Sequence, residues 1–233
     1  AVCLLMNERS FIHDSMGTTA KHRMQQHQKV IDAARKCFVR HGFHATGMAE
    51  IAKACRMSVG NIYHYFPHKN AIVQAITDEV RSRLFPALKD LASHADPLPG
   101  LVEVMLHSLQ EIGTNSNARL WMEISAEASR NPVIRKTCLA FDRDFRKILE
   151  SLLKRALAAG QLPAGTDSEW TALWLVALLD GATARLSMEP DLDVSRLQDR
   201  MVQTLRDFFR IKPVRCILSP TRVVPCLKAP AIQ

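Results

Sequence analysis

The sequence predicts an all-α fold in two parts, an N-terminal three-helix helix-turn-helix unit and a larger C-terminal helical region. Three observations lead there. Apolar residues recur at helical spacing from Gln28 onward, strand-like alternation is absent throughout, and clusters such as "ADPLPG", "TNSN" and "GQLPAG" interrupt the pattern at intervals suited to helix–helix connections.

Each element follows from its own residues. Ile31, Ala34 and Phe38 fall at i, i+3 and i+7, and Gly42 after His41 supplies a stop, which predicts a first helix over about 27–41. Met48, Ile51, Ala52 and Cys55 share one face of a second, short helix that Thr46 is placed to cap. Arg56 and Met57 form a tight turn, Ser58 caps a third short helix running to about His64 or Tyr65, and Pro67 ends it. Longer helices are expected at about 68–92, 99–114, 118–130, 133–159, 166–187 and 193–210. Pro86 falls inside the first of these, where it sets either a kink or a break. Residues 1–20 carry no sustained period and are expected to be a disordered extension; residues 213–233 space prolines too closely for helix and read as a flexible tail. The domains are therefore drawn at 21–70 and 71–212.

Composition narrows the function. The 233 residues are 47% hydrophobic and 23% charged, as in a globular chain, and the longest apolar run, Ala172 to Leu179, is too short to cross a bilayer. Of the net charge of +8, residues 1–69 carry +6, from ten Lys and Arg against four acids, so the basic excess is concentrated where a polyanion could use it. The six cysteines show neither CxxC nor zinc-ligand spacing, and no signal-peptide pattern precedes them, which predicts a reduced, cytoplasmic protein without a metal or other cofactor. No HExxH, GxSxG or phosphate-binding glycine loop is present, so no catalytic residue is assigned and an enzyme is not expected.

Two short helices joined by a tight turn are the arrangement in which the second helix enters the DNA major groove. In "MSVGNIYHYFPHK", Ile62 and Phe66 are expected to face the first two helices, leaving Val59, Asn61, Tyr63 and His64 outward. Gly60 would let the backbone approach DNA closely. Tyr63 and His64 can donate to phosphate oxygens, and Lys69, at the start of the next helix, is expected to add a charge on the phosphate backbone. Tyr65 reads instead as half-buried packing. The DNA-binding set is thus Thr46, Ser58, Val59, Gly60, Asn61, Tyr63, His64 and Lys69, with double-stranded DNA as the partner.

Residues 30–76, with "FVRHGFHAT", "IAKA", Ser58, Gly60 and "YHYFPHK", resemble the DNA-binding domain of the TetR family of bacterial transcriptional regulators. Residues 172–193 are similar to the matching region of regulators resembling the choline-responsive repressor. The resemblance implies a homodimeric regulator, usually a repressor, that binds a palindromic operator and is released by a small-molecule effector; its larger domain would hold the effector and dimerise through the last two helices. The chain departs from the family at Arg56, where glycine is common, and at Asn61, where threonine or serine is frequent. A left-handed backbone at Arg56 would cost roughly 1 kcal/mol.

For the effector, apolar walls with a few polar groups select Met105, His107, Leu109, Trp121, Glu123, Phe141, Phe145 and Trp174, although ordinary core accounts for apolar residues at this spacing equally well. For the dimer, "WTALWLVALL" and the stripe Leu197, Met201, Leu205 and Phe208 select an interface that includes Trp170 and Leu173; docking of the stripe on its own domain is the alternative. An all-α interaction scaffold with a degenerate helix-turn-helix remains open, and salt-sensitive, sequence-specific duplex binding separates it from a regulator.

Overall fold

A computed structural model describes residues 18–211 except 114 and 190. Among the described residues the secondary structure is entirely helical: α1 (Thr18–His41), α2 (Met48–Ala54), α3 (Val59–Tyr65), α4 (Lys69–Leu91), α5 (Leu98–Ile112), α6 (Asn115–Ala128), α7 (Pro132–Ala158), α8 (Ser168–Met188) and α9 (Val194–Phe208). The expected tail, 213–233, lies outside the described residues, as does the expected extension up to residue 17. Lys29–Ile211 form one compact unit, and the part of α1 before Lys29 lies outside it.

Most helices start where a capping side chain stands. Asn131 accepts from the Val133 and Ile134 N–H groups with Pro132 in the first turn, Asp167 accepts from Glu169 and Trp170, and Asp193 accepts from Arg196. α1 starts nine residues before the expected position 27. Its added turns are rich in Lys, Arg, Gln and Met, which favour helix without imposing an apolar period, so periodicity alone could not reveal them. α4 runs unbroken through Pro86.

Two apolar cores organise the unit. The first gathers Val30, Ile31, Ala34 and Phe38 of α1, Ile51 of α2, Ile62 of α3 and Ile72, Val73 and Ile76 of α4, and it also takes Leu120 and Ile124 of α6 and Ile134 of α7. The second holds Phe85, Leu88 and Leu91 of α4 with Leu101, Met105, Leu109, Phe145, Leu149, Leu152, Leu175, Met201 and Leu205. The first half of α4 thus belongs to the N-terminal core, beyond the boundary drawn at residue 70. Burying a side chain such as Leu120 or Ile124 is worth about 1.5–3 kcal/mol, so α6 is bonded firmly to the N-terminal unit. No described helix is long and apolar enough to cross a membrane.

Candidate nucleic-acid interface

The reading unit is α2, a turn, and α3. Ile51 and Ala52 bury one face of α2, whose end is closed by the Arg56 N–H on the Lys53 carbonyl and the Met57 N–H on the Ala52 carbonyl. These are the two bonds of a Schellman motif, and they place Arg56 in the left-handed region at φ 55. Ser58 is extended, and its Oγ accepts from the Asn61 N–H at 3.2 Å, capping α3 as its sequence position predicts. Ile62 and Phe66 are buried behind α3, while Val59, Gly60, Asn61, Tyr63 and His64 face solvent and Tyr65 is half-buried against the first core. A Cβ on Gly60 would meet nothing within 4 Å, so the fold itself does not require glycine there.

Two expected DNA contacts are used internally. Thr46 does not cap α2; Gly47 holds that position, and Thr46 is fully buried with its Oγ1 donating to the Gly42 carbonyl at 2.8 Å. The short loop after α1 draws the hydroxyl inward to satisfy that carbonyl. Lys69 does not present its charge to solvent either. Its Nζ donates to the carbonyls of Phe43 at 2.7 Å, His44 at 3.2 Å and Thr46 at 3.0 Å, and sits 4.4 Å from the centre of the Phe43 ring. An ammonium has three donors, and all three are engaged. Partial burial lowers the Lys69 pKa, with Glu127 acting in the opposite direction.

The same loop is held from the other side by α6. Glu123, expected in an effector pocket, accepts the Phe43 N–H on Oε2 at 3.2 Å. That oxygen would lie 3.3 Å from a Cβ on Gly42, whose φ of +79 already favours glycine. Four residues along α6, Glu127 is buried and accepts from Arg130 Nε at 2.6 Å and from Asn131 Nδ2 at 3.2 Å. Burial alone would raise its pKa, but these hydrogen bonds and the charges of Arg130 and His44 outweigh it and leave the carboxyl below its usual value of 4.5. A depressed folded pKa means a contribution to stability that is present above pH 4.5 and lost as pH falls through the lowered folded value. Wild type should therefore melt above Glu127→Gln at pH 7, and paired melts should show the gap closing as the buffer is taken well below pH 4.5.

The residues chosen for the effector pocket are divided between the two cores and the surface. Met105, Leu109 and Phe145 are buried in the second core with Phe141 packed against it, and the rings of Phe85, Phe141 and Phe145 lie 5.4 to 6.3 Å apart. Trp121 packs on the first core. His107 is nearly half exposed, 3.9 Å from Glu111 on its own helix, which also takes Arg83 at 3.0 Å. Trp174 stands at the surface, stacked on Phe208 at 5.0 Å.

The residues chosen for the dimer divide in two. Met201 and Leu205 are buried in their own second core, with Leu197 packed beside them, so most of the α9 stripe docks on its own domain. Trp170, Leu173 and Phe208 are exposed, and together with Trp174, Ala177, Gly181 and Met188 they form an open, largely apolar face along α8, bordered by the exposed Asp180 and Arg185. The loop clamp by Lys69 and Glu123 went unread in the sequence because Glu123 lies 80 positions from Phe43 and no local period marks the pair.

Two family models match the chain. One, described as bacterial regulatory proteins of the tetR family, covers residues 30–76; the other, described as BetI-type transcriptional repressor, C-terminal, covers residues 97–210. The HTH-type transcriptional regulator UidR of Escherichia coli K12 is 27% identical over 180 residues, which span 76% of this chain and 87% of UidR. TtgR of Pseudomonas putida, another HTH-type transcriptional regulator, is 28% identical over 203 residues, spanning 84% and 96%. Among solved structures, a SmeT–triclosan complex superposes with a TM-score of 0.70 at 26% identity over 78% of this chain and 90% of its own. SmeT is the repressor of the Stenotrophomonas maltophilia multidrug efflux pump SmeDEF.

Proposed function

Because this chain belongs to the TetR family of bacterial transcriptional regulators, we propose that it acts in the cytoplasm as a homodimeric repressor, holding a palindromic operator with two copies of α3 and released by a small-molecule effector. The observation that carries the DNA reading is α3 itself: a Ser58-capped helix whose apolar side is buried through Ile62 while Val59, Asn61, Tyr63 and His64 remain free. In the groove, Val59 and Asn61 would meet base edges, and Tyr63 and His64 would hold phosphates. Gly60, which the chain's own packing does not need, would admit the sugar-phosphate backbone.

The open α8 face supports the dimer. Small residues at Ala177 and Gly181, flanked by Trp170, Trp174 and Met188, suit close approach of a symmetry-related α8. Repression is supported by the description of the second family model, and effector release by the likeness to SmeT, which has been seen with triclosan. An effector lodged against Phe85, Phe141 and Phe145 would act on α4, which carries Phe85 and reaches the 42–46 loop through Lys69, and on α7, which carries the other two rings. By linkage, an effector that prefers the free form must weaken DNA affinity.

Selection of bound duplexes from a random pool tests the reading. A palindrome is the expected product, and recovery of no preferred sequence would overturn it. Asn61→Ala should then change the preferred base at one position of each half-site, at about 1–3 kcal/mol of discrimination, with the salt dependence of binding unchanged.

A further inference from the structure

The turn between α2 and α3 carries an exposed arginine. Arg56 occupies the left-handed position of a Schellman motif, at φ 55, where glycine is the unstrained choice. The chain does supply glycine at the ends of α1 and α7, where Gly42 and Gly160 have φ 79 and 71. Arg56 is exposed, and its guanidinium makes no hydrogen bond or ion pair among the described residues. The one carboxylate of α2, Glu50, pairs with His41 at 3.2 Å. One turn earlier, Lys53 is likewise exposed, so the approach to α3 carries two cations with no protein partner.

We infer that Arg56 is a phosphate contact of the DNA-reading unit, fixed beside the N-terminal end of α3 by the same turn that caps α2. The inference rests on the DNA-binding reading above. Arg56 stands two residues before Ser58, so its side chain leaves the backbone next to the residues that enter the groove, and a guanidinium on a short, hydrogen-bonded turn offers phosphate a planar fork from a rigid base. Lys69 cannot serve this corner, because its three donors are spent on the 42–46 loop. Strain alone does not assign the role: Arg210, at the end of α9, closes an identical pair of bonds at φ 53. That residue lies at the far end of the chain from α3 and is the built-in control.

The experiment compares wild type, Arg56→Gly, Arg56→Gln and Arg210→Gly on the duplex recovered by selection, with affinity measured across a salt series. Both glycine variants relieve the same strain and should match wild type or melt roughly 2–4 °C higher. Arg56→Gly and Arg56→Gln should bind more weakly, with the slope of log affinity against log salt shallower by about 0.9 for each bound chain. Arg210→Gly should keep the wild-type slope. Arg56→Gln retains a side chain at the left-handed position and removes only the charge, so it reports on the contact even if the glycine variant folds poorly. A wild-type slope in both Arg56 variants would overturn the inference and leave the DNA reading standing. Equal losses at Arg56 and Arg210 would also overturn it, by showing an effect of net charge alone. Absence of salt-sensitive duplex binding by wild type would remove the DNA reading and this inference together.

Discussion

Replacing Ala177 with glutamate is expected to leave each chain folded and to separate the proposed dimer into monomers. Ala177 is exposed on α8 and lies midway along the apolar face that runs from Trp170 to Met188, so in the single chain the new carboxylate meets only water. In a two-fold interface about Ala177 and Gly181 the two new carboxylates would be buried near each other, and the cation on this side of α8, Arg185, is already paired with Glu189; an uncompensated buried charge costs about 3–5 kcal/mol. Dimer dissociation should therefore rise by a factor on the order of a hundred to several thousand. Loss of the second reading head should weaken operator binding by about 10²–10⁴. Sedimentation velocity at micromolar concentration reads the first effect, and a thermal melt matching wild type shows that the fold is intact. A dimer that survived Ala177→Glu would place the interface elsewhere. Leu205→Asp would not make this test, because Leu205 is fully buried in its own core and its loss would unfold the chain before any interface was probed.

Lys69→Ala should destabilise the reading unit and leave the salt dependence of DNA binding unchanged. The ammonium supplies three charge-assisted bonds to the Phe43, His44 and Thr46 carbonyls and lies against the Phe43 ring. Its removal strands acceptors in a short loop, at a cost of about 2–3 kcal/mol. Because that loop links α1 to α2, α2 and α3 lose their fixed place and DNA affinity falls for all sequences alike. The slope against salt should stay at the wild-type value, since no phosphate charge is lost. A slope shallower by about 0.9 per chain, with no change in melting, would instead put the ammonium on the DNA backbone, as its position in the sequence first suggested.

The difference between those two expectations for Lys69 shows where sequence reading stops. A basic residue in the first turn of a helix beside a reading helix is legible as a phosphate contact from position alone. What a flexible four-carbon side chain does is set by which acceptors lie within its reach. Here they belong to a loop 23 to 26 residues earlier in the chain. Glu123 makes the same point: its partner is a backbone amide on the loop after α1, and no period in α6 announces it. The α9 stripe was correctly apolar, yet an apolar stripe does not say whether its own domain or a second copy covers it.

By itself the sequence determined the helices after the first to within about three residues at each end, the tight turn at Arg56 and Met57, the cap at Ser58 and the outward set Val59, Asn61, Tyr63 and His64, because caps, turns and helical periodicity act over one or two turns of chain. Only the tertiary structure decided that Thr46 and Lys69 serve the 42–46 loop, that α6 is bonded to the reading unit, and that the open apolar face lies on α8 while α9 is spent on its own core. Those assignments depend on which distant surfaces meet, and that is fixed by the packing of whole helices, to which each residue contributes only a part.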